Sequence, residues 1–122
     1  MKRTLVVLVV DDDARNRKLA RDVLGHGGLD TIEAATGSDA LALAHTHVPD
    51  VVLMDLRLPD MDGGEALRRL RADPATAGIP VVALTAVAGA REALLAAGFA
   101  GCVEKPLDPV SLPALVRRHA AN

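Results

Sequence analysis

The sequence contains no tryptophan and no tyrosine, and its only aromatic residue is Phe99. Proteins that bind single-stranded nucleic acid by stacking its bases need aromatic faces, so the composition counts against that mode of binding. A single cysteine, Cys102, excludes an intramolecular disulfide and a zinc site built from cysteines alone. Neither sign of charge is in large excess. The formal net charge of −2 gives no bulk electrostatic reason to bind DNA, RNA or an anionic membrane. No apolar run approaches the length of a membrane span. Met1-Lys2-Arg3 and the apolar residues 5–10 begin like a secretory signal, but the run is short. Asp11-Asp12-Asp13 then stands where a cleavage site would need small residues. The cytoplasm is the expected location. With no repeats, linkers or low-complexity tracts, the 122 residues are expected to form one domain over 1–122 with no output domain.

What is present is small and branched. Half of the residues are hydrophobic, mostly Ala, Val and Leu, and 25% are charged, which suits a globular core. Residues 5–10, 51–54 and 79–84, and more weakly 101–104, are short apolar runs without alternation, as in strands buried on both faces of a parallel sheet. Residues 30–34 are more polar and suit an edge strand. Helical spacing fills the gaps. Leu19, Ala20, Val23 and Leu24 share a face; Ser38 is placed to cap a helix carrying Ala40, Leu41 and Ala44; Ala66, Leu67 and Leu70 repeat among arginines. Ala93, Leu94 and Ala97 repeat before Gly98, a good terminator, and a last helix carrying Leu112, Leu115 and Val116 is expected to begin near Ser111 with Pro113 in its first turn. Strand then helix, five times over, predicts an α/β domain with a parallel sheet covered on both faces. Its site should lie outside the carboxyl ends of the strands.

Those strand ends carry the chemistry. Asp11-Asp12-Asp13 follows the first strand, Asp55 the third, Thr85 the fourth and Lys105-Pro106 the fifth. Carboxylates brought together repel one another unless a cation neutralises them, and Mg²⁺ suits a few carboxylates with water and phosphate. A lysine and a threonine beside them can hold phosphoryl oxygens, and a carboxylate can accept a phosphoryl group as an aspartyl phosphate. Bland readings compete. Asp13 suits a helix N-cap, Asp11 and Asp12 could be helix-start acids, and Lys105 or Thr85 alone would mean nothing. Asp60, Asp62, Gly63 and Gly64 read as turn residues, and the four histidines as surface residues.

In order along the chain, "LVVLVVDDDARNRKLARDVL", "PDVVLMDLRLPDMDGGEALRRLR", "IPVVALTA" and "GCVEKPLDP" resemble the successive signatures of the receiver domain of bacterial response regulators. The resemblance spans nearly the whole chain. It implies a flavodoxin-like (βα)5 sandwich with five parallel strands in the order 2-1-3-4-5. It implies that Asp55 is phosphorylated, that Asp12 ligates Mg²⁺ directly with Asp11 helping through water, and that Asp55 and the Arg57 carbonyl complete the protein ligands. Thr85 and Lys105 would bind phosphoryl oxygens, and the Lys105–Pro106 peptide would be cis. The implied partners are a sensor histidine kinase or a histidine phosphotransfer protein, and a downstream protein target rather than nucleic acid or membrane. The chain would promote its own phosphorylation without acting as an enzyme on an external substrate.

Two departures from the family stand out. Cys102 occupies a position where many receivers carry Tyr or Phe, and the interval from Thr85 to Lys105 is about two residues short, in the loop before the fourth helix. Arg57 and Val87 fall where receivers tune phosphoryl lifetime, and an apolar Val87 predicts slow self-dephosphorylation. Two other functions compete: a degenerate receiver serving as a passive binding module, and a haloacid-dehalogenase-like phosphatase with Asp11 as nucleophile and Asp13 as acid/base.

Overall fold

Five parallel strands form one sheet in the order β2-β1-β3-β4-β5, the order that the resemblance implies. The computed structural model describes residues 3–120. The strands are β1 (Val6–Val10), β2 (Asp30–Ala34), β3 (Val51–Asp55), β4 (Val81–Thr85) and β5 (Gly101–Glu104). Between and after them run α1 (Ala14–His26), α2 (Gly37–His47), α3 (Gly63–Ala72), α4 (Arg91–Ala97) and α5 (Leu112–Ala120).

The unbroken apolar strands are explained by a core on each face. Leu8, Val10, Val52, Met54, Val81 and Ala83 point one way and meet Ala40, Ala44, Ala66, Leu67 and Leu70 of α2 and α3. Val7, Val9, Val51, Leu53, Val82 and Leu84 point the other way and meet Ala20, Leu24, Leu112 and Val116 of α1 and α5. Alternate side chains of one strand thus serve opposite cores. The polar β2 lies at one edge, paired only with β1. Phe99 is buried with the first cluster, and half-buried Cys102 packs against it.

The structure corrects the sequence reading in several places. β4 begins at Val81 rather than 79, because Pro80 has no N–H for the ladder and the Ile79 N–H closes a turn onto the Thr76 carbonyl. Thr36, not Ser38, caps α2, its hydroxyl accepting the Asp39 N–H at 3.1 Å. In α4, Ala93 and Ala97 are exposed and only Leu94 packs against the core. A two-turn helix beside the end strand reaches the core with a leucine but not with alanines. Leu19 of α1 is likewise exposed, outside the stripe formed by Ala20 and Leu24. β1 also begins at Val6 rather than at residue 5, and β3 runs on to Asp55 rather than ending at 54. α4 ends at Gly98 with φ 109°, and Pro113 is the second residue of α5.

Candidate functional site

All the candidate side chains come from the carboxyl ends of β1, β3, β4 and β5, which parallel pairing brings to one edge of the sheet. Asp11 continues β1 by one residue, its N–H donating to the Ala34 carbonyl at 3.1 Å, and its side chain is buried. Its Oδ1 accepts the Asp13 N–H at 2.9 Å, and its Oδ2 accepts the Asn16 amide at 3.2 Å. The Arg17 guanidinium donates to the Asp11 carbonyl at 2.8 Å. Burial pushes the Asp11 carboxyl above the ordinary range; the hydrogen bond from Asp13 and the Lys105 charge oppose that push. Asp12 is exposed. Asp13 has the bland role: it is the N-cap of α1, accepting the Arg15 N–H at 2.9 Å and pairing with the Arg15 side chain.

Asp55 ends β3 and is buried. Its Oδ1 accepts the Arg57 N–H at 3.1 Å and its Oδ2 accepts the Lys105 ammonium at 2.9 Å. The same ammonium lies 3.4 Å from Asp11 Oδ2, so Lys105 bridges the two acids. Burial works against this cation, but the hydrogen bond to Asp55 and the charges of both acids outweigh it and hold its pKa above the ordinary lysine value. The Lys105 N–H donates to the Thr85 carbonyl at 2.8 Å, tying the ends of β4 and β5 together. Buried Thr85 accepts the Val87 N–H on its hydroxyl at 3.0 Å. The Lys105–Pro106 peptide is cis. A cleft of about 380 Å³ opens over Asp12, Asp55, Arg57, Thr85 and Lys105.

Asp11, Asp12 and Asp55 each offer a carboxylate oxygen within 4.8 Å of the others, a donor set that suits a hard cation. Asp13 caps α1 and pairs with Arg15 rather than with the Asp11 carboxylate, an arrangement that does not favour the phosphatase alternative. Sequence reading missed Asn16 and Arg17. Asn16 is the third residue after the N-cap, from which side chains reach back past the helix start, and that spacing was the available signal.

Asp60 does more than turn the chain. Its carboxylate accepts the N–H groups of Gly37 and Ser38 at 2.8 and 2.9 Å and the Ser38 hydroxyl at 2.9 Å, clamping the loop after Asp55 to the start of α2. Gly63 is small for a reason: a Cβ there would stand 2.9 Å from the Asp55 carbonyl oxygen. His26, His45 and His47 are exposed, whereas His119 is half-buried over Gly101.

Residues 7–117 match the family model described as the response regulator receiver domain. The polar-differentiation response regulator DivK of Brucella ovis is 38% identical over 107 residues, covering 86% of this chain and 87% of that protein. The crystal structure of the receiver domain of sensor histidine kinase PA1611 from Pseudomonas aeruginosa, with a magnesium ion in its active-site cleft, superimposes with a TM-score of 0.87 at 31% identity. That match covers 98% of this chain and 100% of the other. The chemotaxis response regulator CheY4 of Vibrio cholerae gives 0.88 at 28% identity, covering 96% and 99%. The buried acids, the bridging lysine and the 2-1-3-4-5 sheet thus sit in a chain that belongs to the receiver domains of response regulators, the phosphoryl-accepting switches of two-component signalling.

Proposed function

We propose that Asp55 is the acceptor, taking a phosphoryl group from a phosphohistidine on a sensor histidine kinase or a histidine phosphotransfer protein. A carboxylate oxygen of Asp55 supplies the electron pair for the new O–P bond, and the N–P bond breaks with its pair left on the histidine nitrogen. The observation that carries this reading is the Lys105 ammonium, held 2.9 Å from Asp55 and 3.4 Å from Asp11. Lys105 neutralises charge on the phosphoryl oxygens, and the Thr85 hydroxyl donates to one of them. The Arg57 N–H on Oδ1 keeps the carboxylate facing the cleft.

The donor set fits Mg²⁺, with Asp12 as direct ligand, Asp11 through water, and Asp55 and the Arg57 carbonyl completing the protein ligands. When bound, the ion offsets the negative charge that builds up as the phosphoryl group is transferred.

The chain acts as a receiver in the cytoplasm, and its output is binding to a protein target rather than to nucleic acid or membrane. Among the described residues no helix is long and apolar enough to cross a membrane. The chain promotes its own modification and turns over no external substrate.

Incubation with Mg²⁺ and acetyl phosphate, read by intact mass, tests the chemistry. The expected result is one hydroxylamine-labile phosphoryl adduct that requires Mg²⁺ and is absent from Asp55→Asn. An adduct retained by Asp55→Asn and lost in Asp11→Asn would instead restore the phosphatase reading. No adduct from acetyl phosphate or from a phosphohistidine donor would leave a passive binding module.

A further inference from the structure

Asp11 is a buried carboxylate whose direction must be fixed if it is to serve a cation beside it. Oδ1 is fixed by the Asp13 N–H at 2.9 Å. Two side chains reach Oδ2: the Asn16 amide at 3.2 Å and the Lys105 ammonium at 3.4 Å. They are not equivalent. Lys105 is a cation that also bonds Asp55, so it shares the same small volume with any metal ion and is drawn away by phosphoryl oxygens. The amide of Asn16 is neutral and half-buried in the first turn of α1, fixed to the chain five residues from its partner. It neither competes with a cation nor leaves when Lys105 moves. Donors that hold a ligating carboxylate in place strongly affect metal affinity, and their loss typically weakens it about 10- to 100-fold.

We propose that Asn16 is a positioning residue for the metal site, holding Asp11 through Oδ2 so that the acid pair is already oriented when Mg²⁺ arrives. The inference rests on the reading of Asp11 and Asp12 as Mg²⁺ ligands. It concerns binding of the ion before phosphoryl transfer, so its readout is affinity for the ion rather than the yield of phosphorylated protein.

The test is calorimetric titration of the unphosphorylated protein with MgCl₂, for wild type, Asn16→Ala and Asn16→Leu, with thermal unfolding measured without metal. Alanine is a better helix former than asparagine, and leucine keeps the shape while removing the amide, so neither variant should weaken α1 through its backbone. Both variants are expected to bind Mg²⁺ about tenfold more weakly, the low end of the range for lost supporting donors, with melting temperatures near wild type. Wild-type affinity in both variants would overturn the assignment while leaving the metal site standing. A lower melting temperature with unchanged affinity would also overturn it, since the role would then be structural. Absence of Mg²⁺ binding by the wild type would remove the metal reading and this inference with it.

Discussion

Val87 contributes through its backbone and its side chain in different ways. Its N–H donates to the Thr85 hydroxyl at 3.0 Å, holding that oxygen at the cleft, while its side chain is apolar and 59% exposed on the cleft that Asp55 lines. Hydrolysis of an aspartyl phosphate needs a water placed in line with the phosphorus, and an isopropyl group offers no hydrogen bond to hold one. The phosphorylated protein should therefore persist for minutes or longer at neutral pH, and Val87→Asn should shorten its half-life several-fold without lowering the yield of adduct. Decay of isolated phosphoprotein, followed by intact mass, decides the matter; a wild-type lifetime of seconds would contradict the reading. Position 87 can be judged from sequence because it is counted along one chain from Thr85. Asn16 could not be judged that way, because its role depends on how α1 leaves β1 and turns its first turn back over Asp11.

At the scale of elements, Asp60 shows how a loop and a helix are joined. The first N–H groups of α2 lack partners within the helix. Thr36 satisfies one of them, and Asp60, from the loop after β3, takes those of Gly37 and Ser38. Those two bonds, with the Ser38 hydroxyl, hold its pKa at about 2, below the usual 3.8. A carboxyl depressed on folding contributes stability that is fully present above about pH 4 and is lost as pH falls toward 2. Asp60→Ala should melt below wild type at pH 7, and the gap in melting temperature should close between pH 4 and pH 2. A gap that stays constant across that range would mean the clamp is not electrostatic. The choice of Thr36 over Ser38 as cap was not legible either, since both are hydroxyls at the start of the same apolar pattern and only the observed backbone turn separates them. The other end of α2 carries strain. Val48 ends the helix at φ 44°, where a β-branched side chain is disfavoured, and it is 51% exposed. Val48→Gly should stabilise the protein by about 1 kcal/mol, a rise of about 4 °C in melting temperature, because the cap needs the conformation and not the side chain. A lower melting temperature would show that the valine contacts outweigh the strain.

At the scale of the whole molecule, the parallel pairing of the sheet and the site have one cause. Uninterrupted Val-rich strands must be covered on both faces, which forces crossover helices and parallel pairing, and parallel pairing puts the residues after each strand on one edge. The parallel α/β class and the gathering of the site residues were legible in sequence for that reason, since the strand ends mark themselves by the switch from apolar to polar; the strand order came from the resemblance. The weaker packing of α4 was not, since an alanine repeat has helical spacing whether or not it reaches a core. The same arrangement links the site to global stability. Asp11, Asp12 and Asp55 are gathered on folding, with Asp11 raised chiefly by burial, so a divalent cation that binds them has no equivalent site in the unfolded chain. At a Mg²⁺ concentration ten times the dissociation constant, binding should add about 1.4 kcal/mol, or about 5 °C in melting temperature for a domain of this size. Asp12→Asn provides the control. Asp12 is exposed, and its carboxylate accepts no hydrogen bond among the described residues, so the metal-free protein should melt close to wild type. Its response to Mg²⁺ should disappear. Equal rises in the wild type and Asp12→Asn would mean that the ion acts elsewhere on the surface, and no rise in either would mean that the three gathered acids do not hold it.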